Sequence, residues 1–312
     1  MFQSLIISIP VGGQGIASGF RDASSLAWRL VLACRPDFTG NHSKLLAAWY
    51  LERKQQLERS LRSTVENGAY CTEGNRVKVF LRDWHLWLVQ LVPSWKHWLE
   101  MGPRSEGMTK YDYVDGASMP FLPQVGGGTC FPQVYCRDLN HGDKQREQGG
   151  KLRFTDDVIF AEKKKRLFQI VVLLDRMEEV EEARRSLRDV DSLSGGEILG
   201  EEATFIIHDF NATLDSTSQH AISVPENLVR IATGDEFAED PQMCLNRPRP
   251  EYYDAYRMKQ EVQGAKFVIL RPDRFVYAAC RYKQALDSAI ETIAEVLELK
   301  SARITQIEKS RL

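Results

Sequence analysis

The sequence lacks the short motifs that identify the common hydrolases, zinc peptidases and nucleotide-binding proteins. It contains no GxSxG turn, no HExxH pair and no Walker lysine motif. Its six cysteines form neither a CxxC pair nor a Cys/His ligand spacing. Dithiol redox sites and structural zinc sites need such closely spaced groups. We therefore expect reduced thiols, no metal and a cytoplasmic protein.

Charge of one sign and long hydrophobic runs are also missing. The 41 basic and 43 acidic residues give a formal net charge of −2, so no global field attracts nucleic acid or an anionic membrane surface. The apolar opening MFQSLIISIP has no basic flank and is too short to cross a bilayer. We expect it to form a strand, and we expect no nucleic-acid and no membrane partner.

The first third of the chain has helical periodicity. Between residues 16 and 34 apolar residues recur at steps of four and three, which predicts a helix with one buried face. That face would carry Ile16, Phe20, Ala23, Ala27, Leu30 and Cys34. A second helix is predicted over residues 44–65, with Leu46, Tyr50, Leu57 and Leu61 on one side and the polar run ERKQQLERS on the other.

A third helical stretch carries four tryptophans, and their spacing places the rings on one side. They are Trp84, Trp87, Trp95 and Trp98. We expect them to be core residues, the alternative being the aromatic wall of a substrate cavity.

The second half of the chain has an alternating strand and helix texture. Residues 102–150 lose periodicity and are dense in Gly, Pro and Asp, which predicts a linker with loops. Residues 168–175 form a continuous apolar run, typical of a strand buried on both faces, and a charged helix follows. Residues 266–280 predict a hairpin around the turn RPDR, and residues 284–299 predict a closing helix.

A glycine cluster stands at the mouth of the first helix, where Gly12, Gly13 and Gly15 surround Gln14. Glycine lets a ligand approach the backbone closely, and the free N–H groups of a helix start point toward negative charge. On the residues alone two interpretations stay open. The cluster is either a cradle for an electron-rich ligand or a tight turn with a glycine cap.

The string PVGGQGIASGFRDASSLAWRL, at residues 10–30, resembles the flavin-contacting segment of class A flavoprotein aromatic hydroxylases, which include phenol and 3-(3-hydroxyphenyl)propionate hydroxylases. Pro, GGQG, RDA and LAW occur in the same order and at fixed spacing. The strings LERKQQLERSL, at residues 51–61, and RPDRFVYAAC, at residues 271–280, resemble the same branch.

The resemblance implies an FAD site at the glycine cluster. The amides of Gly15, Ile16 and Ala17 would face N1 and O2 of the flavin ring. The close approach would be allowed by Gly12 and Gly13, Gln14 would border the ring, and the Pro10 carbonyl, the implied catalytic position, would face the substrate hydroxyl. The implied reaction hydroxylates a phenolic or aromatic substrate with NAD(P)H and O2 through a flavin C4a-hydroperoxide. A homodimer is compatible with this interpretation.

The sequence departs from the family pattern in three places. Gln3 stands where the family has the Asp that holds the ribityl chain, and Ala17 stands where relatives often have Asn. The GxGxxG half of the FAD domain has no counterpart. We therefore expect a truncated chain.

The predicted fold class is α/β. A mainly helical C-terminal remainder of an FAD-binding monooxygenase domain is expected at residues 1–105, a linker at 106–150, a thioredoxin-like domain at 151–300 and a tail at 301–312. Cys130 and Cys136, six residues apart in a loop, are expected to be structural. The alternatives are a non-catalytic remnant that acts as a binding or oligomerisation module, and an unrelated helical protein with a glycine-capped helix.

Overall fold

The computed structural model describes residues 15–96, 110–139, 150–212, 225–243, 250, 253–297 and 299. Three helices come first: α1 (Gly15–Ala33), α2 (His42–Thr72) and α3 (Arg76–Gln90). The helices α2 and α3 each begin after an asparagine, Asn41 and Asn75, whose side chain accepts hydrogen bonds from the backbone N–H groups two and three residues later. Such caps satisfy donors that a helix start leaves free.

A seven-stranded sheet with the order β2-β1-β5-β4-β3-β6-β7 forms the second half. Its strands are β1 (Tyr135–Asp138), β2 (Leu152–Phe154), β3 (Gln169–Leu174), β4 (Thr204–Ile207), β5 (Leu228–Ile231), β6 (Phe267–Leu270) and β7 (Val276–Cys280). The central strands β3, β4 and β5 are parallel, and the pairs at both sides are antiparallel. All six residues of β3 are buried, as expected for a strand covered on both faces.

Short helices connect and cover these strands. They are α4 (Thr155–Ile159), α5 (Val180–Ser186), α6 (Val190–Leu193), α7 (Gly234–Glu239), α8 (Arg257–Glu261), α9 (Lys283–Glu291) and α10 (Ile293–Val296). The succession of β3, a helical crossover, parallel β4, the hairpin of β6 and β7, and the closing helix α9 is a thioredoxin-like arrangement. The predicted α/β class is confirmed, and so is the hairpin around RPDR.

Part of the predicted linker belongs to the sheet. Strand β1 lies inside the range 106–150, and it pairs with β2 and β5. The preceding residues pack on β7, where Gly128 N donates to Val276 O at 2.8 Å and Leu122 N donates to Tyr277 O at 2.8 Å. We call the sheet, its helices and residues 110–131 the α/β unit. Glycine and proline here mark tight packing against a strand instead of a free linker. The other predicted domain boundaries stay predictions.

The buried face of α1 differs from the predicted one. Phe20 is 72% exposed and Leu30 is 47% exposed, and Ala23, Ala27 and Cys34 are exposed as well. The residues that α1 buries are Ser25, Trp28, Arg29 and Leu32. Trp28 and Leu32 join the main core of the α/β unit. The prediction was wrong because apolar periodicity was taken to mark the contact face, whereas this helix presents a partly polar face to its neighbours.

The same reversal occurs in α2. Tyr50 is 46% exposed and Leu46, Leu57 and Leu61 are half-buried, whereas the buried residues are Ala48, Glu52, Arg53 and Gln56. Three of these four come from the polar run that was predicted to face solvent. Charged side chains can be buried in this way when each finds a partner.

Three of the four tryptophans in the third predicted helical stretch are exposed, so their prediction as core residues was also wrong. Trp84, Trp87 and Trp95 each expose more than half of their surface, and Val89 is the buried residue of α3. Trp98 lies outside the described residues. The spacing does place the rings along one side of the segment, yet no described element covers them.

Candidate functional site

The helix start predicted to face the flavin is present in the structure. Helix α1 begins at Gly15, so Gly15, Ile16 and Ala17 form its first turn. The N–H groups of a first turn have no acceptor within the helix, and no acidic residue lies in this turn to neutralise them. The backbone there can stabilise a partial negative charge. Pro10, Gly12, Gly13 and Gln14 lie outside the described residues, and their roles stay predictions.

The Arg53 guanidinium joins the first half of α1 to α2. Arg53, which is 4% exposed, donates to the Asp22 carboxylate and to Ser18 Oγ at 3.3 Å. The Gln56 side chain accepts a further hydrogen bond from the same guanidinium. Ser18 follows the first turn directly, so this contact lies next to the candidate site.

Next to Arg53 in the chain, Glu52 belongs to a buried ion cluster that we define as Arg29, Glu52, Arg271 and Asp273. Arg271 donates to both oxygens of Glu52, each at 2.8 Å, and to both oxygens of Asp273 at 2.9 and 2.6 Å. Arg29 Nη2 forms an ion pair with Glu52 Oε2 at 2.8 Å. The four side chains are between 0% and 4% exposed.

Aromatic rings enclose the ion cluster. Trp28 Nε1 donates to Asp273 Oδ2 at 3.0 Å, and the Arg29 guanidinium lies 4.4 Å from the centre of the Trp28 ring. Arg271 lies 5.4 Å from the Phe275 ring and 5.9 Å from the Tyr111 ring. The ring faces attract these cations, and their apolar bodies keep water out.

Within the ion cluster Arg271 and Asp273 hold each other in the charged form, whereas burial lowers the pKa of Arg29. Burial alone would raise the pKa of Asp273, but the Arg271 guanidinium holds that pKa below its usual value. Burial would lower the pKa of Arg271, but Asp273 and Glu52 hold it well above its usual value. Burial raises the pKa of the Tyr111 hydroxyl, and the Glu52 charge adds to that effect. Groups that do not titrate near neutral pH are suited to a structural role and not to proton transfer.

The sequence patterns did not predict the ion cluster, although each of its residues lies in one of the three strings that carry the family resemblance. Trp28 and Arg29 belong to the LAWRL string, Glu52 and Arg53 to LERK, and Arg271 and Asp273 to RPD. The structure brings these three strings together, although Trp28 and Asp273 are 245 residues apart in the sequence. The one available signal was that all three resemble the same family. That signal could indicate their common location but not their chemistry.

Other titratable groups lie where the parallel strands end. Asp175 follows β3 and forms an ion pair with Lys259 of α8. His208 follows β4, is 6% exposed and stacks on Tyr256, and burial lowers its pKa. Thioredoxin chemistry needs two closely spaced thiols at a helix N-terminus. The residues between β3 and α5, which begin with Asp175, include no cysteine.

The thiols of the α/β unit have the environment of structural cysteines. Burial raises the pKa of both Cys130 and Cys136, which keeps them protonated and unreactive at neutral pH. Among the described residues no group of three His, Cys, Asp or Glu side chains could hold a metal ion. No helix among the described residues is both long enough and apolar enough to cross a membrane.

Two open clefts of about 530 and 330 Å³ lie on the α/β unit. The larger is lined mainly by arginines and carboxylates near α5, and the smaller lies beside the glycine loop at residues 126–127. Neither is lined by a residue of α1.

Comparisons with known proteins give structural neighbours only. No family model and no curated protein matches the chain. A flavin-dependent monooxygenase, PieE, solved in complex with FAD and substrate, is 16% identical over 93% of this chain and 45% of its own, with a TM-score of 0.49. The chain thus spans less than half of the length of that enzyme.

Two smaller proteins are also similar in structure. Yeast Sco1 with copper bound is 12% identical over 59% of this chain and 94% of its own, with a TM-score of 0.30. A thioredoxin-like protein from Bacteroides caccae is 8% identical over 87% of this chain and 83% of its own, with a TM-score of 0.27.

Proposed function

We propose that the chain is part of an FAD-dependent monooxygenase that hydroxylates a phenolic or other aromatic substrate with NAD(P)H and O2. One observation carries this proposal. The string that resembles the flavin-contacting segment leads into a helix that begins at Gly15, with free first-turn amides and no acidic residue to compete for them. Arg53 holds this helix start against α2.

The described residues fit one edge of the flavin. The amides of Gly15, Ile16 and Ala17 would donate to the pyrimidine edge, where negative charge collects on reduction. A charge at a helix start is stabilised by about 0.3–1 kcal/mol when exposed and by up to ~2 kcal/mol when partly buried. When bound, FAD would supply the redox and oxygen chemistry. The protein would orient the ring and stabilise its charge.

The described residues do not offer a site for the rest of FAD. A dinucleotide site needs a glycine-rich turn between a parallel strand and a helix. The parallel strands β3, β4 and β5 are followed by Asp-Arg-Met, His-Asp-Phe and Ala-Thr-Gly, none of which is such a turn. The sheet therefore gives the adenosine and pyrophosphate no such cradle. The described residues should therefore contact the ring portion of the cofactor alone.

Flavin titration of the purified chain tests the proposal. We expect weak binding, with similar dissociation constants for FAD and riboflavin, because the adenosine is not contacted. Gly15→Val should abolish the binding, because the added side chain stands where the ring edge must approach the amides. Fluorescence quenching measures each constant.

Gly19→Val is the matched control for this titration, since it makes the same change one turn later in α1 at a position with open space around it. It should bind flavin as the unaltered chain does. The flavin assignment is contradicted if Gly15→Val and Gly19→Val lose flavin binding equally. It is also contradicted if Gly15→Val binds flavin as the unaltered chain does. Sub-micromolar binding of FAD, not shared by riboflavin, would contradict the restriction to the ring.

A second candidate function is an interaction module, and the exposed apolar side chains of α3 and of the residues that follow it favour this function. Phe80, Trp84, Trp87, Leu91 and Trp95 are each more than half exposed. Contiguous apolar surface of this kind marks contact sites on soluble proteins. A homodimer is the simplest proposal for such a module.

Sedimentation velocity tests the interaction module. We expect the chain to self-associate at micromolar concentration and the double variant Trp84→Ser, Trp87→Ser to sediment as a monomer. Val65→Ser, which changes an exposed apolar residue of α2, is the control and should leave association unchanged. A chain that stays monomeric at all concentrations would rule out the homodimer.

A further inference from the structure

We infer that Arg53 and Arg271 are positioning residues, through which the α/β unit sets the start of α1. This inference rests on the proposed function for the identity of what is positioned, the flavin-facing amides. Its mechanical part, that Arg271 and Arg53 together fix the start of α1, concerns contacts within the chain alone. The α/β unit would then act as a support for a binding edge and not as a redox domain.

The first link joins the α/β unit to α2. Arg271 lies in the turn between β6 and β7 and donates hydrogen bonds to both carboxylate oxygens of Glu52, each at 2.8 Å. Its other donors grip Asp273, which fixes the guanidinium plane. Paired two-point contacts between an arginine and carboxylates constrain orientation as well as distance. The position of Glu52 on α2 is therefore set by the hairpin.

The second link joins α2 to the start of α1. Arg53 follows Glu52 in the chain, and it reaches Ser18 and Asp22 on α1. With a rise of about 1.5 Å per residue, Ser18 lies within roughly 5 Å of Gly15 along the helix axis. A displacement of α2 is therefore passed to the first-turn amides.

Between Ser18 and Ser24, α1 has no buried side chain. From Ser18 to Ser24 every side chain is exposed or half-buried, and burial begins at Ser25. Apolar packing through Trp28 and Leu32 fixes the second half of the helix instead. The orientation of the first half must therefore depend on polar contacts such as those of Arg53.

A separate ion pair holds the opposite end of α1 and provides a matched control. Arg35, just beyond the helix, donates to both oxygens of Glu197 in the α/β unit, each at 2.6 Å. It too is a two-point contact between the helices and the α/β unit. It lies far from Gly15, so its loss should weaken docking without disturbing the first turn.

Hydrogen exchange of α1 peptides tests the mechanical part. Arg53→Gln should speed exchange of the amides in residues 19–24, the first amides that are hydrogen-bonded within α1, about tenfold, as expected for the loss of a charge-assisted hydrogen bond. Arg271→Lys should have a smaller effect of the same kind, and Arg35→Lys should leave these amides unchanged. Exchange in residues 25–33 should not respond to Arg53→Gln. Asp22→Asn removes the partner from the α1 side and should reproduce the effect if Arg53→Gln does not fold.

Riboflavin titration of the same variants tests the link to the site. Arg53→Gln should weaken riboflavin binding and reduce the shift of its visible absorption band, Arg53→Lys should restore part of both, and Arg35→Lys should change neither. Unchanged exchange at residues 19–24 would overturn the positioning role, whatever happens to the flavin. Faster exchange with unaltered flavin affinity and spectrum would overturn positioning of the flavin. Failure of the unaltered chain to bind riboflavin would overturn the proposed function and this link together, leaving the exchange result to decide the mechanical part.

Discussion

Arg271→Met is expected to lower the free energy of unfolding by about 3–5 kcal/mol, the usual cost of removing one partner from a buried ion pair. The methionine keeps the apolar contact with the rings around it. It leaves Glu52 and Asp273, both buried, with Arg29 as the remaining cation of the ion cluster. Urea unfolding followed by tryptophan fluorescence and circular dichroism measures the loss.

Two further variants separate charge imbalance from lost packing. Arg271→Met combined with Asp273→Asn removes one charge of each sign, so it should recover part of the stability that the single change loses. Arg35→Met breaks an ion pair that is partly exposed to water and should cost less, about 1 kcal/mol. If Arg271→Met costs no more than Arg35→Met, the buried ion cluster does not hold the helices to the α/β unit.

The strands β3, β6 and β7 could be predicted from the sequence because their signals are local, whereas β1 lies in the predicted linker. A continuous apolar run such as residues 168–175 has few environments available other than a strand covered on both faces. The turn RPDR between two apolar runs indicates a hairpin by its own chemistry. The start of α1 at Gly15 was likewise indicated by the glycines next to it.

The contact faces of α1 and α2 could not be predicted, because they depend on partners remote in sequence. Periodicity reports which side of a helix is apolar, and it was assumed that this side faces the core. Arg29 and Glu52 are buried because Arg271 and Asp273, more than 200 residues later, complete their charges. No window of local sequence contains that information. A buried charge is recognisable only when its partner is known.

The candidate site also has one part that the sequence predicted and one part that it did not. Its backbone part, the first turn of α1, follows from glycine spacing and a family resemblance. Its supporting part, Arg53 with Ser18 and Asp22, is a contact between helices. Sequence patterns predicted the group that would meet the flavin. They did not predict what holds that group in place.

Gly127→Ala is expected to lower the free energy of unfolding by about 3 kcal/mol, at the upper end of what overpacking costs. A Cβ on Gly127 would lie 2.5 Å from Tyr277 O and 2.7 Å from both N and O of Leu122. These are backbone atoms, so no side chain can rotate away to make room. The loop would have to leave β7, losing the hydrogen bond from Leu122 N to Tyr277 O. Thermal and urea unfolding of the variant measure the loss.

Gly74→Ala is the control for this change, because it lies between α2 and α3 with no atom within 4 Å of an added Cβ. It should alter stability by no more than about 0.5 kcal/mol. Gly126→Ala should be intermediate, since its φ of +74° strains an L-residue but its nearest neighbour is the Ala279 side chain. If Gly127→Ala unfolds like Gly74→Ala, residues 122–128 do not pack on β7. The sequence-based prediction of a free linker would then be correct for this segment.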